Sequence, residues 1–247
     1  GLYRIGMNAD LRLEIPGAGR AKIRRPDDTT RYWSKTTLPW MSFGYETQVP
    51  PINTLAFFNA IANDGKMVRP MFTKEILHNG KTVQSFSTEV INSSICSDHT
   101  LALIKDMLLG VVEKGTGKAV HSDIVRIAGK TGTAQITDAR SREGRYYLGS
   151  MVAYFPADAP RYTVLTTIET RAQAGKAYYG GPLAGPVVKR MVDYIFNRGR
   201  DWYGRVDDGG PRRYPDRMKG GDIAQVRRVA DRLSPRASFE SRTGWGR

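Results

Sequence analysis

The sequence of 247 residues predicts an α+β domain, an antiparallel sheet with packed helices. Two segments with helical apolar spacing come first, three β-prone runs follow in close succession, and an amphipathic segment closes the pattern near residue 197. Helices on either side of a strand meander fit a layer of helices laid on a sheet.

Taken in order, residues 1–40 read as an irregular lead-in, in which Leu11, Leu13 and Ile15 alternate before the stop Pro16-Gly17. In the run 41–70, Pro51 suits a first helical turn, where its missing N–H costs nothing. Leu55, Phe58 and Ala62 then recur with helical spacing, Phe57 and Ile61 widen the stripe, and Gly65 ends it. Asn79-Gly80 between Glu75-Ile76-Leu77 and Thr82-Val83 is a hairpin signal. Ser97 or Asp98 can cap a second helix, striped by Leu101, Ile104, Leu108 and Val111 and ended by Gly115. Strands are expected over 124–136, 149–155 and 161–170, the last two joined tightly through Pro156 to Pro160. The closing helix would bury Val187, Val188, Met191 and Ile195. Residues 198–247 change character to Arg, Asp, Gly and Pro, a basic linker with one amphipathic segment from Asp222 to Leu233.

Composition excludes several classes. No apolar run approaches the ~18 residues that cross a bilayer. Cys96 is the sole cysteine, which excludes an internal disulfide, and His78, His99 and His121 lack ligand spacing. No metal or cofactor is expected. The formal charge of +14 invites a nucleic-acid reading, but it is diffuse. Residues 1–197 carry 25 Lys/Arg against 17 Asp/Glu, and residues 198–247 carry 13 against 7. Basic residues do not interleave with aromatics as in single-strand binders. An anionic polymer or membrane surface suits this charge better, and nucleic acid is not an expected partner.

The stretch that invites chemistry is Ile127 to Ile136, in which Lys130 stands between Gly129 and Thr131-Gly132-Thr133. On an edge strand, two glycines would let another backbone approach, and an extended peptide could add as a further strand. Lys130 offers a compact charge with three donors, and Thr131 and Thr133 offer hydroxyls for a carboxylate. A backbone N–H nearby could stabilise an oxyanion. Three residues alone recur by chance, so the surroundings decide.

Lys130-Thr131-Gly132 resembles the K-T-G motif of the penicillin-recognising serine enzymes. Further stretches resemble the monofunctional, class B penicillin-binding proteins in order and spacing. They are "LRLEIPGAG" at 11–19, the helix-bearing run 41–70, "GVVEKGTGKAV" at 110–120, the strands 150–170, and "YYGGPLAGPVVKRMVDYIF" at 178–196. Residues 1–197 are identified as the C-terminal part of such a transpeptidase domain, which implies the fold of penicillin-binding proteins and serine β-lactamases, incomplete at the N-terminal side.

The resemblance implies a peptidoglycan D,D-transpeptidase in cell division or elongation, acting through an acyl-serine. Peptidoglycan stem peptides, β-lactam antibiotics and proteins of the wall-synthesis complex are the implied partners. Lys130 would be the catalytic lysine, Thr131, Gly132 and Thr133 would bind substrate, and the Thr133 N–H would be an oxyanion donor. The implied location is the outer side of the bacterial cytoplasmic membrane, through an N-terminal anchor absent here. Yet no serine stands three positions before a lysine, or two before an asparagine, so S-x-x-K and S-x-N are both missing. Both would precede the segment at 11–19. The chain is therefore expected to be a piece of a longer protein and inactive alone. Loss of upstream helices is expected to bare apolar strand surface around Val125, Met151, Ala153 and Val164. Val49-Pro50-Pro51 replaces the family's usual Val-Thr-Pro and with it a capping hydroxyl. A non-catalytic binding or scaffold module of the same fold is the alternative; a serine β-lactamase or sensor domain fits the N-terminal half less well.

Overall fold

Three antiparallel strands covered on both faces by helices organise the chain. The structure, a computed structural model, describes residues 1–29, 32–136 and 144–198. All of these fall in one compact unit, Gly1–Asp201. The linker and amphipathic segment expected over 198–247 lie almost wholly outside the described residues.

A two-residue strand β1 (Lys22–Ile23) precedes a short helix α1 (Thr37–Ser42) and pairs antiparallel with β2 (Thr47–Gln48). Helix α2 (Pro51–Ala62) starts at the expected proline. Pro50 is its N-cap and gives no side-chain bond, so the first turn relies on the Asn53 N–H donating to the Pro50 carbonyl at 2.9 Å. The buried face differs from the expected stripe. Asn53, Ala56, Ala60, Ile61 and Ala62 are buried, while Leu55 and Phe58 are only half-buried. Alanines at 56 and 60 make a flat face that can lie close to a sheet, and the longer side chains fill its flanks. Gly65 ends the run at φ +81°, its N–H reaching back to the Ala60 carbonyl at 2.8 Å.

Strand β3 (Met67–Val68) follows, then the hairpin of β4 (Glu75–His78) and β5 (Lys81–Ser85), then β6 (Val90–Asn92), which pairs with β3. Asn79 and Gly80 both take positive φ, as a two-residue hairpin turn requires. Helix α3 (Asp98–Glu113) is capped by Ser97, whose hydroxyl accepts from the Thr100 N–H at 3.3 Å. It buries Leu101, Leu108 and Val112, with Ile104 half-buried beside them.

The main sheet comprises β7 (Ala128–Ile136), β8 (Tyr146–Phe155) and β9 (Tyr162–Arg171), in that spatial order. The strand expected from 124 begins four residues later, because Ile124 to Ile127 form irregular chain whose Val125 and Ile127 are nonetheless buried. Helix α4 (Gly180–Arg198) closes the fold. It buries Ala184, Gly185, Val188, Val192 and Phe196 and leaves Val187 and Met191 exposed, a face turned from the expected one.

Alternation along β8 assigns the two faces. Tyr154 belongs to a core with Ala60, Ile61, Met67, Leu101, Leu108 and Ala128, so its face meets α2 and α3. Gly149 lies against Leu183 and Gly180, so the face of Gly149, Met151, Ala153 and Phe155 meets α4. Met151 and Ala153 are fully buried, and Val125 and Val164 are 7% and 8% exposed. The expectation of bare strand surface at these four positions is thus corrected. Helices within this chain cover both faces of the sheet. Burial also pushes the Tyr154 phenol up to about 12, with a smaller contribution from Asp106.

Candidate functional site: an open strand edge carrying Lys130

Strand β7 pairs with β8 on one side, and among the described residues no strand pairs on its other side. In an antiparallel ladder, alternate residues direct both backbone groups toward the partner or away from it. The Gln135 N–H donates to the Tyr45 hydroxyl at 3.4 Å, so Gln135 points away from β8. By period two, Gly129, Thr131 and Thr133 point the same way. The Lys130 ammonium agrees, because its Nζ donates to the Thr131 carbonyl at 2.9 Å and so lies along this free edge. Lys130, Gly132 and Ala134 lie opposite Val152, Ser150 and Leu148 and complete the internal ladder.

The side chains divide by the same alternation. Thr131 and Thr133 stand opposite Met151 and Gly149, on the α4 face. The Thr133 hydroxyl accepts from the Gly180 N–H at 3.0 Å, at the start of α4. The Thr131 and Thr116 hydroxyls lie 2.9 Å apart. A hydroxyl carries one hydrogen and two lone pairs. Thr133 therefore keeps its hydrogen for another acceptor, and the Thr116–Thr131 pair, sharing one hydrogen, keeps one more. Two O–H donors, the outward Thr133 N–H and an exposed ammonium line one short stretch. That donor-rich set suits an anion such as a carboxylate or a developing oxyanion.

Residues 15–193 match the penicillin-binding protein transpeptidase domain family. The chain belongs to that family. Among similar proteins is the probable peptidoglycan D,D-transpeptidase PenA of Neisseria flavescens, 28% identical over 200 residues, covering 79% of this chain and 45% of that protein. Stage V sporulation protein D of Bacillus subtilis is 31% identical over 157 residues, covering 61% of this chain and 23% of that protein. The transpeptidase domain of penicillin-binding protein 3 from Burkholderia pseudomallei shares the fold, with a TM-score of 0.59 at 22% identity, covering 85% of this chain and 58% of that one. Penicillin-binding protein 2B of Streptococcus pneumoniae does likewise, with a TM-score of 0.63 at 21% identity over 79% of this chain and 31% of that one. The chain spans less than half the length of these two curated relatives.

Within this transpeptidase family member, Gly129 beside Lys130 serves the packing of its own sheet. A Cβ at Gly129 would strike the Val152 carbonyl and approach Met151, so that glycine admits β8 of the same sheet. A Cβ at Gly132 would meet only the Ser150 hydroxyl. Several residues escaped sequence reasoning. Thr116 meets Thr131 across 15 residues and Tyr45 meets Gln135 across 90. Tyr147 stacks on Tyr178 with centroids 4.4 Å apart, and Tyr178 in turn lies 4.4 Å from Tyr179. The Tyr178–Tyr179 hydroxyl contact of 3.1 Å raises the Tyr178 phenol above its ordinary value. The doubled tyrosine immediately before Gly180-Gly181 was the available signal. Among the described residues, no cluster of three His, Cys, Asp or Glu could hold a metal ion.

Proposed function

We propose that this chain supplies the peptide-binding wall of a peptidoglycan D,D-transpeptidase. The observation that carries the reading is the meeting, on one free strand edge, of the Lys130 ammonium with the outward Thr133 N–H and the hydroxyls of Thr131 and Thr133. An extended stem peptide would add antiparallel to β7 with its terminal carboxylate among these donors. Its penultimate carbonyl would then take up a serine oxygen as the carbonyl oxygen becomes an oxyanion, which the Thr133 N–H stabilises. The C–N bond breaks, the leaving D-alanine amine takes a proton, and a neighbouring stem's amine resolves the acyl-serine. Lys130 holds positive charge beside this centre, and Gly132 places no side chain over it. β-Lactams would enter as mimics of the donor peptide.

No serine in the sequence has the S-x-x-K or S-x-N setting. The reading therefore assigns the nucleophile to polypeptide outside these 247 residues and leaves the chain unable to acylate alone. Among the described residues no helix is long and apolar enough to cross a membrane. The proposed site of action is the outer side of the cytoplasmic membrane, with wall-synthesis proteins as partners.

Labelling by a fluorescent penicillin tests the proposal. The 247-residue chain should form no covalent adduct. A longer parent protein carrying S-x-x-K should label, and Lys130→Ala in that protein should slow labelling about a hundredfold or more. Labelling of the short chain, or an unchanged rate in Lys130→Ala, refutes the reading. A parent with the serine replaced would favour the non-catalytic scaffold.

A further inference from the structure

We propose that Tyr45 is a stop on the open edge of β7, which limits edge pairing to about the last three residues of a bound peptide. The inference rests on the peptide-wall reading above and adds a specificity-determining residue to it. A peptide whose carboxylate sits by Lys130, Thr131 and Thr133, and which pairs antiparallel, runs its upstream residues toward Gln135. Outward backbone groups recur every second residue, or about 7 Å. Beyond Thr133 the next outward amide is Gln135, and the Tyr45 hydroxyl already occupies it at 3.4 Å. The ladder open to a ligand therefore ends after Thr133.

Tyr45 is held in place from several directions. Gly44 and Glu46 on either side take positive φ, +104° and +58°. The Tyr45 N–H donates to the Trp40 carbonyl at 3.1 Å. Its ring meets Trp40 edge-on at 5.4 Å and Phe43 at 5.5 Å. Glu46 is ion-paired with Arg24, and the following residues pair with β1. A left-handed non-glycine residue persists where its surroundings fix it, which marks this turn as built rather than incidental. A cleft of about 890 Å³ lined by Ile23, Arg24, Trp40, Tyr45 and Gln135 lies at this end of the strand. A longer peptide must leave the strand here.

The test titrates N-acetylated peptides of two to six residues, all ending in D-alanyl-D-alanine with a free carboxylate, into the 247-residue chain. With native Tyr45, Kd should fall up to three residues and then stay within about twofold. In Tyr45→Ala, further length should tighten binding about fivefold for each new edge hydrogen bond. Tyr45→Phe keeps the ring beside Trp40 and Phe43, frees the Gln135 N–H, and should reproduce the first of those gains; it carries the test should the alanine variant unfold. Affinity that climbs more than about twofold past three residues in the native chain, or length profiles unchanged in both variants, overturns the stop alone. Binding that is absent, or indifferent to Lys130→Ala, overturns the peptide wall and the stop with it.

Discussion

Replacing Gly180 by alanine adds one methyl where α4 meets the sheet, and the structure gives its cost. The new Cβ would run into the Gly132 and Ser150 carbonyl oxygens and lie 2.9 Å from the Ser150 nitrogen. These are backbone atoms of a paired rung, so no side chain can rotate aside. The start of α4 must lift, which breaks the 3.0 Å bond from the Gly180 N–H to Thr133. Overpacking of this kind costs about 1–3 kcal/mol and a lost hydrogen bond about 1 kcal/mol. The sum, about 2–4 kcal/mol, is a large fraction of an ordinary domain's stability. In urea, followed by tryptophan fluorescence, the midpoint should drop by about 1–2 M at unchanged slope. Thr133→Val should cost about 1 kcal/mol alone and nearly nothing beside Gly180→Ala, since the bond it removes is already broken. A midpoint for Gly180→Ala within about 0.3 M of the native chain, or additive costs in the pair, would refute the reasoning.

Two further outcomes follow from the same contacts. Gly110→Ala, in the last turn of α3 with nothing within 4 Å of its Cβ, should stabilise the chain by about 0.5–1 kcal/mol in the same urea assay. Tyr154 is 1% exposed and its phenol titrates near 12 instead of 10. The unfolded chain therefore ionises first, so the stability tied to the neutral phenol is complete below pH 10 and is lost as pH rises toward 12. The loss should be about 2–3 kcal/mol, read as the difference between native and Tyr154→Phe urea midpoints across that window.

Element type was legible because it follows local signals: Pro51 at a helix start, Asn79-Gly80 at a turn, Ser97 at a cap. Helix faces were less so. Periodicity weighs large apolar residues, but α2 and α4 meet the sheet through Ala56, Ala60, Gly180, Gly181 and Ala184, whose value lies in their smallness. The buried face therefore turned away from Leu55 and Phe58 in one helix, and from Val187 and Met191 in the other. At the candidate site, the prominence of Lys130 was readable from residue type, whereas the edge position of β7 was only supposed and is given by the strand order. The engagement of the Thr131 and Thr133 hydroxyls with Thr116 and Gly180 was not, nor was Tyr45 beside Gln135. Those contacts join segments that only the folded topology brings together. The bare sheet expected around Met151 and Ala153 failed for a related reason: Tyr154 and Gly149 meet helices of this same chain from opposite sides.

The alternation along β7 gives this strand something like a reading frame of two. Substituting Lys130 removes one group, whereas deleting a single residue between Ala128 and Lys130 inverts every position downstream. The amides of Thr131 and Thr133 would turn into the sheet, and their hydroxyls would swing to the side of Tyr154. A change in the length of this strand keeps that frame only in even steps, unless a bulge takes up the odd residue.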